Sequence, residues 1–146
     1  MKSLDSLKLM MTFYDNDQLA IVLDYEGIME KEYRQLNDNE TYQKWKTAMF
    51  QGNQIHYVSG KLEQRIKQEL QKRGFHEPTD QAFVAVALHS DKNIVSEDSD
   101  YGKGNEARAN TPEKQEVLRY MTEDLKLNVM DSIEALEFIR VSLNEV

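Results

Sequence analysis

Six consecutive apolar residues, Phe83-Val84-Ala85-Val86-Ala87-Leu88, restrict this chain more than any other feature. Thr79 or Asp80 can cap a helix running from Gln81 to His89, and in such a helix the run leaves almost no polar face. A helix that is apolar nearly all round must be buried on several sides, so the rest of the 146 residues has to wrap it. That length suits one domain, residues 1–146, with a core large enough to fold alone.

The flanking pattern supplies the wrapping. Leu19-Ala20-Ile21-Val22-Leu23 is a continuous apolar run of strand length, stopped by Asp24, and it predicts an interior parallel strand buried on both faces. Ile55–Val58, Ile94–Val95 and Leu127–Met130 are further strand candidates. Leu4, Leu7, Met11 and Tyr14 recur at helical spacing up to Asp15-Asn16-Asp17, with a short strand at Met10–Tyr14 as the rival reading. Ile28–Arg34 reads as a helix with Ile28 and Met29 toward the core, and Tyr42–Phe50 as another with Trp45 and Met49 four apart. Ser59 can cap a helix carrying Leu62, Ile66 and Leu70, which Gly74 is placed to terminate. Thr111-Pro112 opens a helix with Val117, Met121 and Leu125. Asp131 and Glu134 form a capping pair for the last helix, with Ile133, Leu136, Ile139 and Leu143 inward. Strands alternating with helices, without two-residue hairpin signals, predict a three-layer α/β fold: a mostly parallel sheet flanked by helices.

Composition removes several classes of function. Eighteen Lys and Arg against 26 Asp and Glu give a formal charge of −8, so no global basic field attracts nucleic acid. Without cysteine there is no disulfide, thiolate zinc site or thiol nucleophile, which fits a reducing cytoplasm. No apolar stretch is long enough to span a bilayer, and Met1–Asp5 lacks the apolar core of a signal peptide. His56, His76 and His89 share no metal-ligand spacing, and no phosphate-cradling glycine motif or serine elbow is present.

What remains is acidic. Asp24 ends a strand, Glu32 lies on the helix after it, Asp80 opens a helix, and Asp98 and Asp100 follow another strand. Carboxylates brought together suit Mg²⁺ or Mn²⁺, and a pair of such ions can activate water for phosphodiester hydrolysis. Taken singly, each residue has a plainer role as helix cap, turn residue or solvated carboxylate.

As a set they resemble a known family. Asp80-Gln81-Ala82-Phe83-Val84-Ala85-Val86-Ala87 is similar to the third motif of PIN-like domains, an aspartate opening a buried helix, and Ser96-Glu97-Asp98-Ser99-Asp100-Tyr101 resembles their fourth motif. Ile28–Arg34 matches the helix bearing the second-motif glutamate and points to Glu32. The resemblance runs from about Leu19 to about Leu143. It implies a metal-dependent endoribonuclease, the toxin half of a toxin–antitoxin pair or a defence nuclease. Glu32, Asp80 and Asp98 would be metal ligands, Asp100 a ligand or water-orienting base, and Asp24 a supporting metal residue. Arg34, Lys103 and Arg108 would contact phosphates. The implied cofactor is Mg²⁺ or Mn²⁺; the implied partners are single-stranded RNA, an inhibitor or antitoxin protein and a second copy of the chain, with no membrane.

The chain departs from the family at its start. PIN-like domains begin with a central strand ending in an aspartate, and here the segment before Leu19 reads as the helix that should follow that strand. Thr12-Phe13-Tyr14-Asp15-Asn16 is the other candidate for the first motif, leaving almost no room for the intervening helix. Both readings stay open in the sequence, and the departure brings in a second function, a non-catalytic PIN-like domain that binds a partner protein. A small-ligand module of the response-regulator kind is a third, although the fourth-motif loop has no place in it.

Overall fold

A computed structural model describes residues 4–34, 39–96 and 111–144. The described elements are α1 (Leu4–Asp15), β1 (Ile21–Asp24), α2 (Ile28–Arg34), α3 (Asn39–Gln51), β2 (Ile55–Val58), α4 (Gln64–Lys72), α5 (Pro78–Leu88), β3 (Asn93–Val95), α6 (Pro112–Arg119), a π-helical turn (Tyr120–Asp124), β4 (Asn128–Met130) and α7 (Ser132–Asn144). The protein is α/β and mostly helical. Its strands form two separate parallel pairs, β1 with β2 in the register Ile21↔Ile55 to Asp24↔Val58, and β3 with β4 in the register Asn93↔Asn128 to Val95↔Met130. The expected single three-layer sheet is therefore replaced, among the described residues, by two two-stranded sheets. β1 has one neighbour rather than the two of an interior strand.

The helix predicted to be buried on several sides organises both halves. In α5, Gln81, Ala82 and Val84 to Ala87 are all buried, and the helix packs against α2, β1 and β3. Val84 and Ala87 join a core with Ile66, Leu70, Phe75, Ile94, Val117, Met121 and Val129. Val86 instead faces Leu23, Met29, Met49 and Ile55, while Phe83 touches both groups. α5 is thus a wall between two cores, which accounts for its lack of a polar face.

Local chemistry fixes the boundaries. Pro78 takes the first position of α5 after Glu77, so Asp80 lies inside the first turn and neither it nor Thr79 is the cap. α4 begins at Gln64 after Glu63, not at Ser59, because the chain from Ser59 to Glu63 is not helical and is held at Gly60, whose N–H donates to Glu26 Oε1 (2.6 Å). Gly74 does terminate α4: with φ +85° it lets its own N–H reach Gln71 O (3.0 Å) and the Phe75 N–H reach Leu70 O (3.0 Å). Asn53, at φ +60°, does the same after α3, where Gln54 N–H reaches Met49 O at 2.8 Å. The Thr111 hydroxyl caps α6 at Lys114 N–H, and Asp131 and Glu134 exchange the two expected bonds at 2.8 and 3.0 Å.

Two helical faces differ from expectation. α7 buries Ser132, Ala135 and Ile139, with Leu136 and Leu143 half-buried, and of the residues expected inward Ile133 is 61% exposed. α1 is a helix throughout, which excludes the strand at Met10–Tyr14, but Met11 and Tyr14 face outward. Its inner side is set by Phe13, packed on the second core, and by Met10, whose carbonyl accepts from Trp45 Nε1 at 2.9 Å.

Candidate functional site

Of the carboxylates proposed as a set, Asp24, Glu32 and Asp80 lie on described elements. Asp24 is 1% exposed at the end of β1, with Oδ2 accepting from Ile28 N–H (2.8 Å) and Oδ1 from Met29 N–H (2.9 Å). Both oxygens thus hold the first amides of α2, the arrangement of a helix cap with a charge favourable to the helix dipole. Gly60 packs directly on the Asp24 side chain; a methyl group there would come within 2.7 Å of Asp24 Cβ. One residue earlier, the Ser59 carbonyl accepts from His89 Nδ1 (2.8 Å), and His89 is the residue just past α5. Asp24 is therefore linked through Gly60 and Ser59 to His89, just past the carboxyl end of α5, whereas Asp80 is in the first turn of that helix, on the order of 13 Å from His89 along its axis.

Asp80 keeps different company. After the turn at Ser90–Lys92, β3 packs against α5 and ends before Ser96. Asp98 and Asp100, which follow, lie outside the described residues, as do Lys103 and Arg108; of Arg34 only the backbone is described. Glu32 lies on α2, exposed, one turn beyond the amides that Asp24 holds. Thr12 to Asp15 are helical, so no first strand is formed there. Among the described residues, no three His, Asp or Glu side chains stand close enough together to hold a metal ion.

Three features escaped the sequence reading. Gln54, 6% exposed, donates through Nε2 to the carbonyls of Phe13 (2.9 Å), Asn16 (2.8 Å) and Leu19 (2.8 Å), fastening the α1–β1 connection to the start of β2. At the carboxyl ends of β1 and β2, the exposed Tyr25 ring stacks on Tyr57 with centroids 6.1 Å apart. The Tyr57 hydroxyl donates to Glu30, which also pairs with Lys46, and its pKa is pushed up by burial first and by the Glu30 charge second.

The third feature lies where α4 meets α6. The Arg73 guanidinium bonds the Glu69 carboxylate at 2.7 Å, approaches Glu116 at 3.5 Å and covers the Tyr120 ring at 4.2 Å. Its pKa is raised chiefly by the bond to Glu69. An open cleft of about 450 Å³ adjoins it, lined by Gln71, Lys72, Arg73, Gly74, His76, Glu113 and Glu116. The Asn–Gln pair at 53–54 had only a left-handed helix stop to announce it, and Arg73 only its spacing from Glu69.

Comparison of the chain with protein-family models, curated proteins and solved structures finds no match in any of the three.

Proposed function

We propose that this chain is a PIN-like, Mg²⁺- or Mn²⁺-dependent endoribonuclease whose chemistry is centred on Asp80. One observation carries the reading: Asp80 lies in the first turn of the central buried helix, and β3, from which the chain continues into Asp98 and Asp100, packs on that same helix. Carboxylates delivered there, with Glu32 from α2, would hold the metal ions that activate water and stabilise the leaving oxygen. Asp24 is removed from the ligand set in this reading, since its two oxygens serve the α2 amides.

The test is Mn²⁺-dependent cleavage of labelled single-stranded RNA, with Asp80→Asn and Asp98→Asn in parallel. Both substitutions keep the side-chain shape and should abolish cleavage while the far-ultraviolet circular dichroism stays that of the parent. Mn²⁺ at a hundred times its Kd should also raise the parent Tm by about 5–10 °C, and not that of Asp80→Asn. No cleavage and no metal-induced shift in a folded parent would overturn the reading.

A second reading has its own support. Asp24 is the residue at a strand end, where α/β sheets place functional groups, and its carboxylate is wholly engaged in holding α2. That arrangement suits a PIN-like domain retained as a scaffold for binding a partner protein, whose stability Mn²⁺ would leave unchanged.

A further inference from the structure

We propose that the solvent face of α4 is a track for the sugar–phosphate backbone of single-stranded RNA, leading to Asp80. This rests on the functional reading above and assigns the substrate-binding surface that the reading leaves open.

The argument begins with charge. From Lys61 to Arg73 the chain carries five cations, Lys61, Arg65, Lys67, Lys72 and Arg73, against two carboxylates, Glu63 and Glu69, within a protein of net charge −8. Folding sorts these charges further. The exposed positions of α4 are Gln64, Arg65, Lys67, Gln68, Gln71 and Lys72, and no carboxylate is among them. Glu69 is turned partly inward, where Arg73 and Lys72 neutralise it. Arg73 is itself committed to Glu69, Glu116 and the Tyr120 ring, and it braces the helix rather than facing solvent.

The face has two adjacent rows at helical spacing: Arg65, Gln68 and Lys72, then Gln64, Lys67 and Gln71. Neither Arg65 nor Lys67 makes an ion pair among the described residues, so both charges are available to release counterions from a polyanion. The glutamine amides between them both donate and accept, which suits phosphate oxygens and ribose 2′-hydroxyls and reads no base sequence. A helix face of cations and amides is an ordinary solvated surface in a neutral protein. In this acidic chain the α4 face itself offers a polyanion no carboxylate, and only its Lys72 end adjoins Glu113 and Glu116.

Position gives the face its direction. The turn at Gly74 brings Phe75 back onto Leu70, and the Phe75 carbonyl accepts from Gln81 Nε2 at 3.0 Å. The carboxyl end of α4 is thereby fastened to the first turn of α5, where Asp80 precedes Gln81. Arg65 and Lys72 are on the order of 10 Å apart along the axis, so a strand lying on both is aimed at the Asp80 end of α5.

The experiment is fluorescence anisotropy of labelled oligouridylate with the full chain in EDTA, which separates binding from metal-dependent cleavage, across a salt series. The triple variant Arg65→Gln, Lys67→Gln, Lys72→Gln should weaken binding at least about tenfold and lower the slope of log K against log salt by about 2. A charge-matched variant on the other helices, Lys8→Gln, Lys44→Gln, Arg140→Gln, should stay within about twofold of the parent by the same reasoning. Absence of RNA binding by the parent, equal losses in the two variants, or competition by polyglutamate as effective as by RNA would each overturn the track. The two readings fail separately. Cleavage that requires Asp80 while binding ignores the α4 substitutions removes the track and keeps the nuclease. Binding through α4 without cleavage by the parent keeps the track and removes the hydrolysis.

Discussion

Gln54 offers the sharpest test of how the α1–β1 connection is fastened to β2. Its side-chain nitrogen has two hydrogens and three carbonyl acceptors at 2.8–2.9 Å, from Phe13, Asn16 and Leu19, inside a site only 6% exposed. The substitution Gln54→Met keeps the length and most of the volume of the side chain and deletes the donors, so it creates little cavity. The backbone bonds of residue 54, to Met49 and Ile21, remain. Two donated bonds are lost at about 1 kcal/mol each, and carbonyls left unsatisfied add about 1 kcal/mol more. The resulting loss of about 3 kcal/mol corresponds to a fall in Tm of about 6–12 °C for a chain of this size. Gln54→Glu adds a sign that packing alone would not produce. A carboxylate facing three carbonyl oxygens has its pKa raised above the unfolded value, so stability is greatest below that value, about 4.3, and is lost as pH rises through the folded pKa. The glutamate variant should therefore melt lower relative to the parent at pH 7 than at pH 5, with calorimetry as the assay. A Gln54→Met chain that melts within about 2 °C of the parent, or a Gln54→Glu chain with no extra pH dependence, would refute the reasoning.

Two further predictions follow from charge and backbone geometry. Gly74→Ala places a side chain at φ +85° and against the Glu113 carboxylate, and should cost about 1–2 kcal/mol in urea unfolding; Glu113→Ala in the same chain should recover the steric part only. Glu69 and Glu116 are held below the usual carboxylate range, the first mainly by the Arg73 hydrogen bond and then that of Lys72, the second mainly by Arg119. Their stabilisation is complete above the unfolded value near 4.5 and disappears as pH falls through the lower folded values, so Tm should drop in that acid range. Glu116→Gln should flatten that drop, and an unchanged acid profile would show that the ion pairs on α4 and α6 do not contribute.

The sequence disclosed those elements whose causes are local. The Asp131–Glu134 box, the Thr111 cap, the Gly74 stop and the burial of α5 each depend on residues within one or two turns, and each was readable. Sheet extent was not, because an apolar run such as Leu19–Leu23 states that a strand is buried without stating what buries it. Here helix α5 covers β1, which among the described residues pairs only with β2. The rotations of α1 and α7 were missed for a related reason. Both contain apolar residues on more than one side, and the choice between them was made by distant partners, Trp45 for α1 and, for α7, the α1 and β4 elements it packs against. Among the candidate site residues, Asp24 and Asp80 were correctly placed at the end of a strand and the start of a helix. Their separation depends on how β2 ends against His89, a contact with no local signature.

That separation changes what the acidity of the chain is for. A buried carboxylate needs compensation, and Asp24 finds it in two amides and the α2 dipole, so its charge is accounted for by the fold alone. Asp80 stands at the opposite end of α5, beside the end of α4, whose outer surface carries cations and amides without a carboxylate. One apolar helix thus has a structural carboxylate linked to one end and Asp80 in the first turn at the other, which the Gln81–Phe75 bond ties to the chain leaving α4. Substitutions at Asp24 should therefore act through the stability of α2 rather than through metal affinity.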